Sequence, residues 1–470
     1  VAHDAAVIGA GPNGLAAALT MARAGLSVRL IERNATVGGA ARTAELGYPG
    51  AIHDLGSAVH PMSLVSPFFE LIGLRDAVDF IVPEISFAHP LADGRAGIAY
   101  RDLERTVKEL GAQGTGYQRV FGPVVDRVNG TADTLLNPLL RLPRHPIALA
   151  VFGMRALQLM VPGLGTGELA AAMIAGCGAH TAGGGRGPAA SGAGLFLGAT
   201  AHAGGWPIPR GGSQAISDAM AAMFTAAGGS IELDTEITNI AQISEKTVLF
   251  DTSPEALSKI AGDRLPQKYR KTLETTRRAP GSCLIHYVLN SPVPWRNPEI
   301  AGAGTIHLGG TAKEIGRQER IVRTQISDAP YAIVSQPSTF DDSRAPVGKH
   351  VLWAYCHVPN GDPRDMSAIM NKMIEDVAPG FIDTIEYSEA VTAPGLAAQN
   401  PNLVGGDLSG GMTDISGMLA RPTLSADPWR TPSAGLYLAS SSTPPGPAVH
   451  GMNGYLAARS ALRHEFGIMR

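Results

Sequence analysis

Three glycines near the start of the chain stand at positions that suit phosphate chemistry. They lie in the run Val7-Ile8-Gly9-Ala10-Gly11-Pro12-Asn13-Gly14, and an acid, Glu32, follows 18 residues after Gly14. Gly9 allows a tight turn, Gly11 leaves the backbone bare where a pyrophosphate can approach, and Gly14 lets a helix pack close to a sheet. A helix opening at this turn presents unpaired N–H groups and the positive end of its dipole to phosphates. Glu32, with Arg33 beside it, ends the apolar run Val28-Arg29-Leu30-Ile31, where a carboxylate can accept hydrogen bonds from ribose hydroxyls. The pattern predicts a strand, a turn, a helix and a second strand that together bind a dinucleotide, with Pro12 and Asn13 inside the binding turn.

A second glycine turn follows at Val37-Gly38-Gly39-Ala40-Ala41-Arg42-Thr43. It can touch the same pyrophosphate from the other side, and Arg42 can add a charge-assisted bond. The paired turns resemble the flavin-binding start of the amine oxidase and phytoene desaturase superfamily, and a nicotinamide enzyme does not usually carry the second turn. The closing segment Leu436-Tyr437-Leu438-Ala439-Ser440-Ser441-Ser442-Thr443-Pro444-Pro445-Gly446-Pro447-Ala448-Val449-His450-Gly451-Met452-Asn453-Gly454 resembles the last flavin motif of phytoene desaturase-like FAD-dependent oxidoreductases. The segments His202–Gly212, Pro294–Arg296, Gly304–Gly310 and Tyr355–Gly361 resemble the branch of the pyridine nucleotide-disulphide oxidoreductase domain-containing protein.

The resemblance spans nearly the whole chain and implies FAD as cofactor. It places Ser57 and Ser441 among the cofactor contacts and Ile237 beside the adenine. It also puts Val449, His450, Gly451 and Met452 at a helix start beside the flavin pyrimidine, where the positive helix end stabilises charge on the reduced ring. Many flavoproteins carry an aspartate at the Ser441 position, so here hydroxyls or waters must replace its ribityl contact. The implied activity is hydride removal from an apolar or amphipathic molecule. The alternatives are an amine oxidase-like C–N oxidation and a flavin-binding scaffold without turnover. With no second dinucleotide turn in the sequence, the electrons would pass to oxygen, a quinone or another acceptor.

The flavin would carry the redox chemistry, so the protein must orient substrate and manage protons. His450 and His202 are the expected catalytic histidines, since imidazole exchanges protons near neutrality. His450 ranks first because it precedes the helix that should point at the ring. His60, Trp206, Tyr355 and His357 are expected to line the substrate site, with Trp206 as an aromatic wall. No HxxxH pattern or carboxylate–histidine cluster suggests a metal. Cys177, Cys283 and Cys356 lie far apart in sequence and form no CxxC, which argues against dithiol chemistry.

The elements that must hold these residues follow from pattern and composition. With 470 residues, 44% hydrophobic, 17% charged and a net charge of −3, the chain suits a globular protein of two or three units and not a nucleic-acid binder. The expected class is α/β: a discontinuous Rossmann-type domain from residues 1–64, 200–262 and 425–470, and an α+β substrate domain from 65–199 and 263–424. Residues 65–200 read as mainly helical, Gly176–Gly194 as a mobile glycine-rich loop near the cavity mouth, and Ile231–Ile240 as a strand. Ile147–Leu164 is apolar but carries Arg155 and is interrupted by Pro162. It reads as a core or lid helix, with a weak membrane-surface contact as the alternative. The first strand begins close to Val1, leaving no room for a signal peptide, so the cytoplasm is the expected compartment.

Overall fold

The computed structural model describes residues 3–138, 142–160, 166–185 and 187–469. The predicted first unit forms as a strand Ala5–Ile8, a helix Pro12–Arg23 and a strand Val28–Ile31. The two strands sit inside a five-stranded sheet in which every pair of neighbours is parallel. Its order is Leu436–Leu438, Thr247–Phe250, Ala5–Ile8, Val28–Ile31, Ser230–Glu232. Ala5–Ile8 and Thr247–Phe250 are buried at every residue, as a parallel sheet covered on both faces requires. Three separate stretches of chain therefore supply one sheet.

The first helix packs against the closing helix, Met452–Glu465, and against Gln214–Ala226. Glycines make that approach possible. A Cβ on Gly14 would lie 1.9 Å from the Gly9 carbonyl oxygen, and one on Gly454 would lie 1.8 Å from the Asn13 carbonyl oxygen. The helix start, the turn and the closing helix are thus locked together by backbone contact.

A second, seven-stranded sheet has the order Ile385–Val391, Gly281–Leu289, His350–Val358, Ala332–Ser335, Ala303–Leu308, Ile85–Pro90, Ala96–Tyr100. Its pairs are antiparallel except Ala303–Leu308 with Ile85–Pro90. Two of these strands come from the region expected to be mainly helical. Ile85–Pro90 is buried at all six positions, so it lacks the period-two alternation that marks a strand. The remainder of that region is helical, including Gly114–Val125, Pro146–Met160, Glu168–Gly178 and Pro188–Ala203.

Three sequence expectations need correction. The expected loop Gly176–Gly194 is shorter than read: residues 176–178 end one helix and 188–194 begin the next, while 179–185 and Gly187 are a non-helical connection, with Arg186 outside the described residues. The glycines in its helical ends serve close helix packing, since a Cβ on Gly178 would lie 2.6 Å from the Ala190 carbonyl oxygen and one on Gly194 2.7 Å from that of Ile174. The strand expected over Ile231–Ile240 stops at Glu232. Asp234 then takes φ of 52°, and the chain turns back so that Thr235 N–H donates to the Glu32 carbonyl. Finally, Pro146–Met160 is a surface helix. It buries Ala148 and Phe152 but leaves Ile147 70% and Leu157 64% exposed; Pro162 and Leu164 lie outside the described residues. No described helix is long and apolar enough to cross a membrane.

Candidate functional site

A cavity of about 470 Å³ runs from the first glycine turn to the face of the second sheet. Its nucleotide end is built by the ends of parallel strands. Gly9, Gly11, Pro12 and Asn13 come from the first turn, Glu32 and Arg33 from the end of the second strand, and Gly39 and Ala40 from the second turn. Ser57, Ile237, Ser441 and Val449 continue the wall. This is the carboxyl edge of the sheet, where ligands of open parallel sheets bind. Glu32 is 5% exposed and already ordered: Oε2 accepts from Ala10 N–H at 2.8 Å, and Oε1 accepts from the Asn34 backbone and side-chain amides.

The far end of the cavity is aromatic. Trp206, Trp353, Tyr355 and Phe196 line it, together with His60 and His180. Trp206 Nε1 donates to the Leu197 carbonyl and Thr200 Oγ1, and its ring lies 5.0 Å from Phe87 and 5.8 Å from His180. His60 Nε2 is 2.8 Å from Ser213 Oγ, while its buried Nδ1 has no protein partner. Burial pushes the His60 pKa down to about 4 and that of His180 to about 3, so both rings are neutral at pH 7. His180 Nε2 lies 3.1 Å from Nε2 of His307, a fully buried ring behind the wall. One of the two nitrogens must donate and the other accept. Acids on the cavity wall (Glu32, Glu236 and Asp251) all sit at the nucleotide end.

Several expected residues stand off this wall. Gly14 lies behind the turn, its N–H donating to Asp251. Gly38 donates its N–H to the Ala10 carbonyl and holds the second turn against the first. Arg42 does not reach the wall, because its guanidinium donates to the carbonyls of Gly39 and Gln399. His202 is buried between the Tyr117 hydroxyl at 2.9 Å and the Tyr100 carbonyl at 2.7 Å, with its pKa pushed down by burial to about 4. His357 is bound through Nδ1 to Glu319 at 2.8 Å, behind Tyr355. His450 is 1% exposed, and its Nδ1 accepts from Met452 N–H at the start of the closing helix. Gly451 and Met452 are buried at that helix start. These three histidines are part of the packing around the cavity and do not face into it.

Trp353, Phe196, His180 and Asp251 were not read from the sequence as wall residues. His180 lies in the Gly176–Gly194 stretch expected near the cavity mouth, but nothing in the sequence singled out its ring as a wall residue. Asp251 follows the strand Thr247–Phe250 directly, and that position, an acid leaving a central parallel strand, was the available signal. The cysteines also differ from their sequence spacing: Cys283 and Cys356 face each other across neighbouring strands. Both are free and buried in the second sheet's core, away from the cavity wall.

The residues present fit an elongated dinucleotide carrying an aromatic ring. The glycine turns and acid are at one end and flat side chains at the other. Among the described residues, four buried polar atoms of the wall lack protein partners: Asn13 Oδ1, His60 Nδ1, Thr305 Oγ1 and Trp353 Nε1.

Comparison with known proteins agrees with this architecture. Residues 7–70 match the family of NAD(P)-binding Rossmann-like domains. The chain is similar to a phytoene dehydrogenase of Streptomyces griseus, 26% identical over 84% of this chain and 82% of that protein. It is also similar to pyridine nucleotide-disulfide oxidoreductase domain-containing protein 2 of Rattus norvegicus, 24% identical over 98% of this chain and 93% of the relative. Among solved structures, cyclohexylamine oxidase of Brevibacterium oxydans shares the fold with a TM-score of 0.56, at 14% identity, over 99% of this chain and all (100%) of that one.

Proposed function

We propose that this chain is an FAD-dependent oxidoreductase that removes hydride from a neutral apolar or amphipathic small molecule. The observation that carries the reading is the single cavity joining a dinucleotide turn to an aromatic chamber. The similarity to an oxidoreductase such as the phytoene dehydrogenase over most of both chains supports it. The strands of the parallel sheet all fall within residues 1–64, 200–262 and 425–470, and those of the second sheet within 65–199 and 263–424. We assign FAD to the first set and substrate to the second.

FAD supplies a two-electron acceptor when bound. In this assignment the first glycine turn and helix N-terminus receive the pyrophosphate, and Glu32 receives the ribose. Ser441 and Val449 flank the remainder of the cofactor. Trp206, Trp353 and Tyr355 hold the substrate flat and exclude water from the reacting bond. His60 Nδ1 and the neutral His180 are the groups on this wall that can hold a proton, so we transfer the acid–base role to them from His450 and His202. His450 and His202 then act by positioning: one orders the closing helix, and the other ties the wall helix Pro188–Ala203 to Tyr100. Electrons leave to oxygen, a quinone or a similar small acceptor. The apolar outer face of Pro146–Met160 offers a weak membrane-surface contact for an enzyme with an apolar substrate.

An amine is the second reading, since aromatic walls also suit it. No acid lines the aromatic end among the described residues, so nothing there pairs with an ammonium. Anaerobic titration of the flavin form with neutral isoprenoid alkenes and with aliphatic amines tests the choice. Bleaching of the visible flavin band by the alkenes is expected. Bleaching by the amines alone would replace this reading with the second, and bleaching by neither class would point to a scaffold.

A further inference from the structure

Asp251 is a cavity-wall acid to which none of the steps above gives a part. Its backbone N–H donates to the Ile8 carbonyl, which places the residue at the end of the strand neighbouring the first turn. From there the carboxyl reaches beneath the turn. Oδ2 accepts the Gly14 N–H at 2.8 Å, and a Cβ on Gly11 would lie only 2.6 Å from the same oxygen. The bare face of Gly11 is therefore filled by this carboxyl, which sits on the helix N-terminus where the pyrophosphate would arrive.

Among the described residues no cation compensates it. The charged group that faces it is Glu32, from the second strand, and it repels. Arg33 is drawn toward Glu236 at 3.9 Å, and Arg42 is held by the carbonyls of Gly39 and Gln399. From the loop after the second sheet, Asn402 is a neutral neighbour whose Oδ1 accepts from Ser253 N–H. From the closing loop come the serines Ser440–Ser442.

We infer that Asp251 is a proton-linked gate on dinucleotide binding: as a carboxylate it caps the helix N-terminus through Gly14 N–H, and it takes up one proton from solvent when the pyrophosphate docks. The inference rests on the proposed dinucleotide site. Two acids and an incoming dianion would otherwise share one turn, and like charges at such a distance favour the neutral form of the weakest acid. Once protonated, the carboxyl gains an O–H donor and loses its repulsion toward the phosphate oxygens. Burial already pushes the Asp251 pKa up to about 7, with Glu32 adding to the rise and the Gly14 and Gly11 amides opposing it. The proton is therefore exchanged near neutral pH.

The sign of the linkage follows. If the bound form holds one proton more than the free form, affinity falls as pH rises above the free pKa, by at most ~tenfold per pH unit. FAD titrated into the flavin-depleted full-length chain, followed by quenching of flavin fluorescence, should bind about tenfold or more weakly at pH ~8.5 than at pH ~6. Asp251→Asn keeps an acceptor for Gly14 N–H and cannot ionise. It should bind with a flat pH profile and more tightly than the parent at the alkaline end. Should that variant fail to fold, proton uptake by the parent on adding FAD in weak buffer gives the answer directly, with about one proton expected at the alkaline end. A flat parent profile with no uptake, or an unchanged slope in Asp251→Asn, overturns the inference while leaving the FAD site intact. Failure of the parent to bind FAD at any pH overturns the site itself and the gate with it.

Discussion

Adding one methyl group at Gly454 should separate two helices that the site depends on. The added Cβ would lie 1.8 Å from the Asn13 carbonyl oxygen, 2.7 Å from its carbon and 2.9 Å from the Ala17 nitrogen. All three are backbone atoms of the first helix, so no side-chain rotation relieves the overlap. To restore ordinary contact, the closing helix must withdraw from the first by over an ångström. Overpacking of this kind costs about 1–3 kcal/mol and occasionally more, and a rigid backbone contact belongs at or above the upper end. Gly153→Ala is the matched control. It lies within the surface helix Pro146–Met160, its Cβ would meet nothing within 4 Å, and the change should stabilise by up to about 1 kcal/mol through helix propensity. Denaturant titration of the two variants reads the opposite signs, and flavin content after purification should fall only in Gly454→Ala. Equal stability and full flavin content in Gly454→Ala would refute the packing argument.

Arg344→Leu should be costly, because Arg344 and Asp54 form a fully buried pair at 2.7 Å. Leaving Asp54 unpaired is expected to cost about 3–5 kcal/mol, and a loss under about 1 kcal/mol by denaturant titration would contradict this. The neutral buried histidines predict acid sensitivity. His53 and His180 are lowered to about 3, and His60, His89, His202, His286 and His450 to about 4, chiefly by burial. Between the unfolded value near 6.5 and these folded values the unfolded chain binds more protons. Each histidine therefore removes up to about 1.4 kcal/mol of stability per pH unit as pH falls through that window. Stability measured from pH ~7 to ~5 should drop steeply, and a flat profile would show that these rings gain partners on protonation. NADH and NADPH should reduce the flavin poorly, as the sequence has a single dinucleotide turn that FAD would fill; rapid saturable bleaching would disclose a nicotinamide site.

The nucleotide end of the cavity was readable because its chemistry is local. Gly9 to Glu32 form one contiguous unit, and turn, helix and acid have a fixed spacing that reports on geometry directly. The strand before Asp251 and the closing helix were legible for the same reason. The aromatic end was legible only in part: His60, Trp206 and Tyr355 were expected there and line the cavity, whereas Trp353 and His180 reach it through long-range pairing that no local pattern encodes. Ile85–Pro90 was missed because complete burial erases alternation. The ends of Gly176–Gly194 were misread as loop because glycine permits close helix packing, as at Gly178 and Gly194, as readily as it permits a turn. His202 and His450 were chosen for residue type and position in a motif. Their hydrogen bonds to Tyr117, Tyr100 and Met452 are tertiary facts, and these place both rings behind the wall.

Everything proposed for this chain depends on the turn at Gly9–Gly14 holding FAD. The direct measurement is to denature the purified full-length protein, separate what it releases and identify the chromophore by chromatography and mass. The protein should be yellow and release intact FAD without a covalent link, and Gly11→Val, which drives a side chain into the space of Asp251 and the pyrophosphate, should give a colourless folded protein. Release of a nicotinamide nucleotide alone, failure to take up FAD on reconstitution, or full flavin content in Gly11→Val would contradict it.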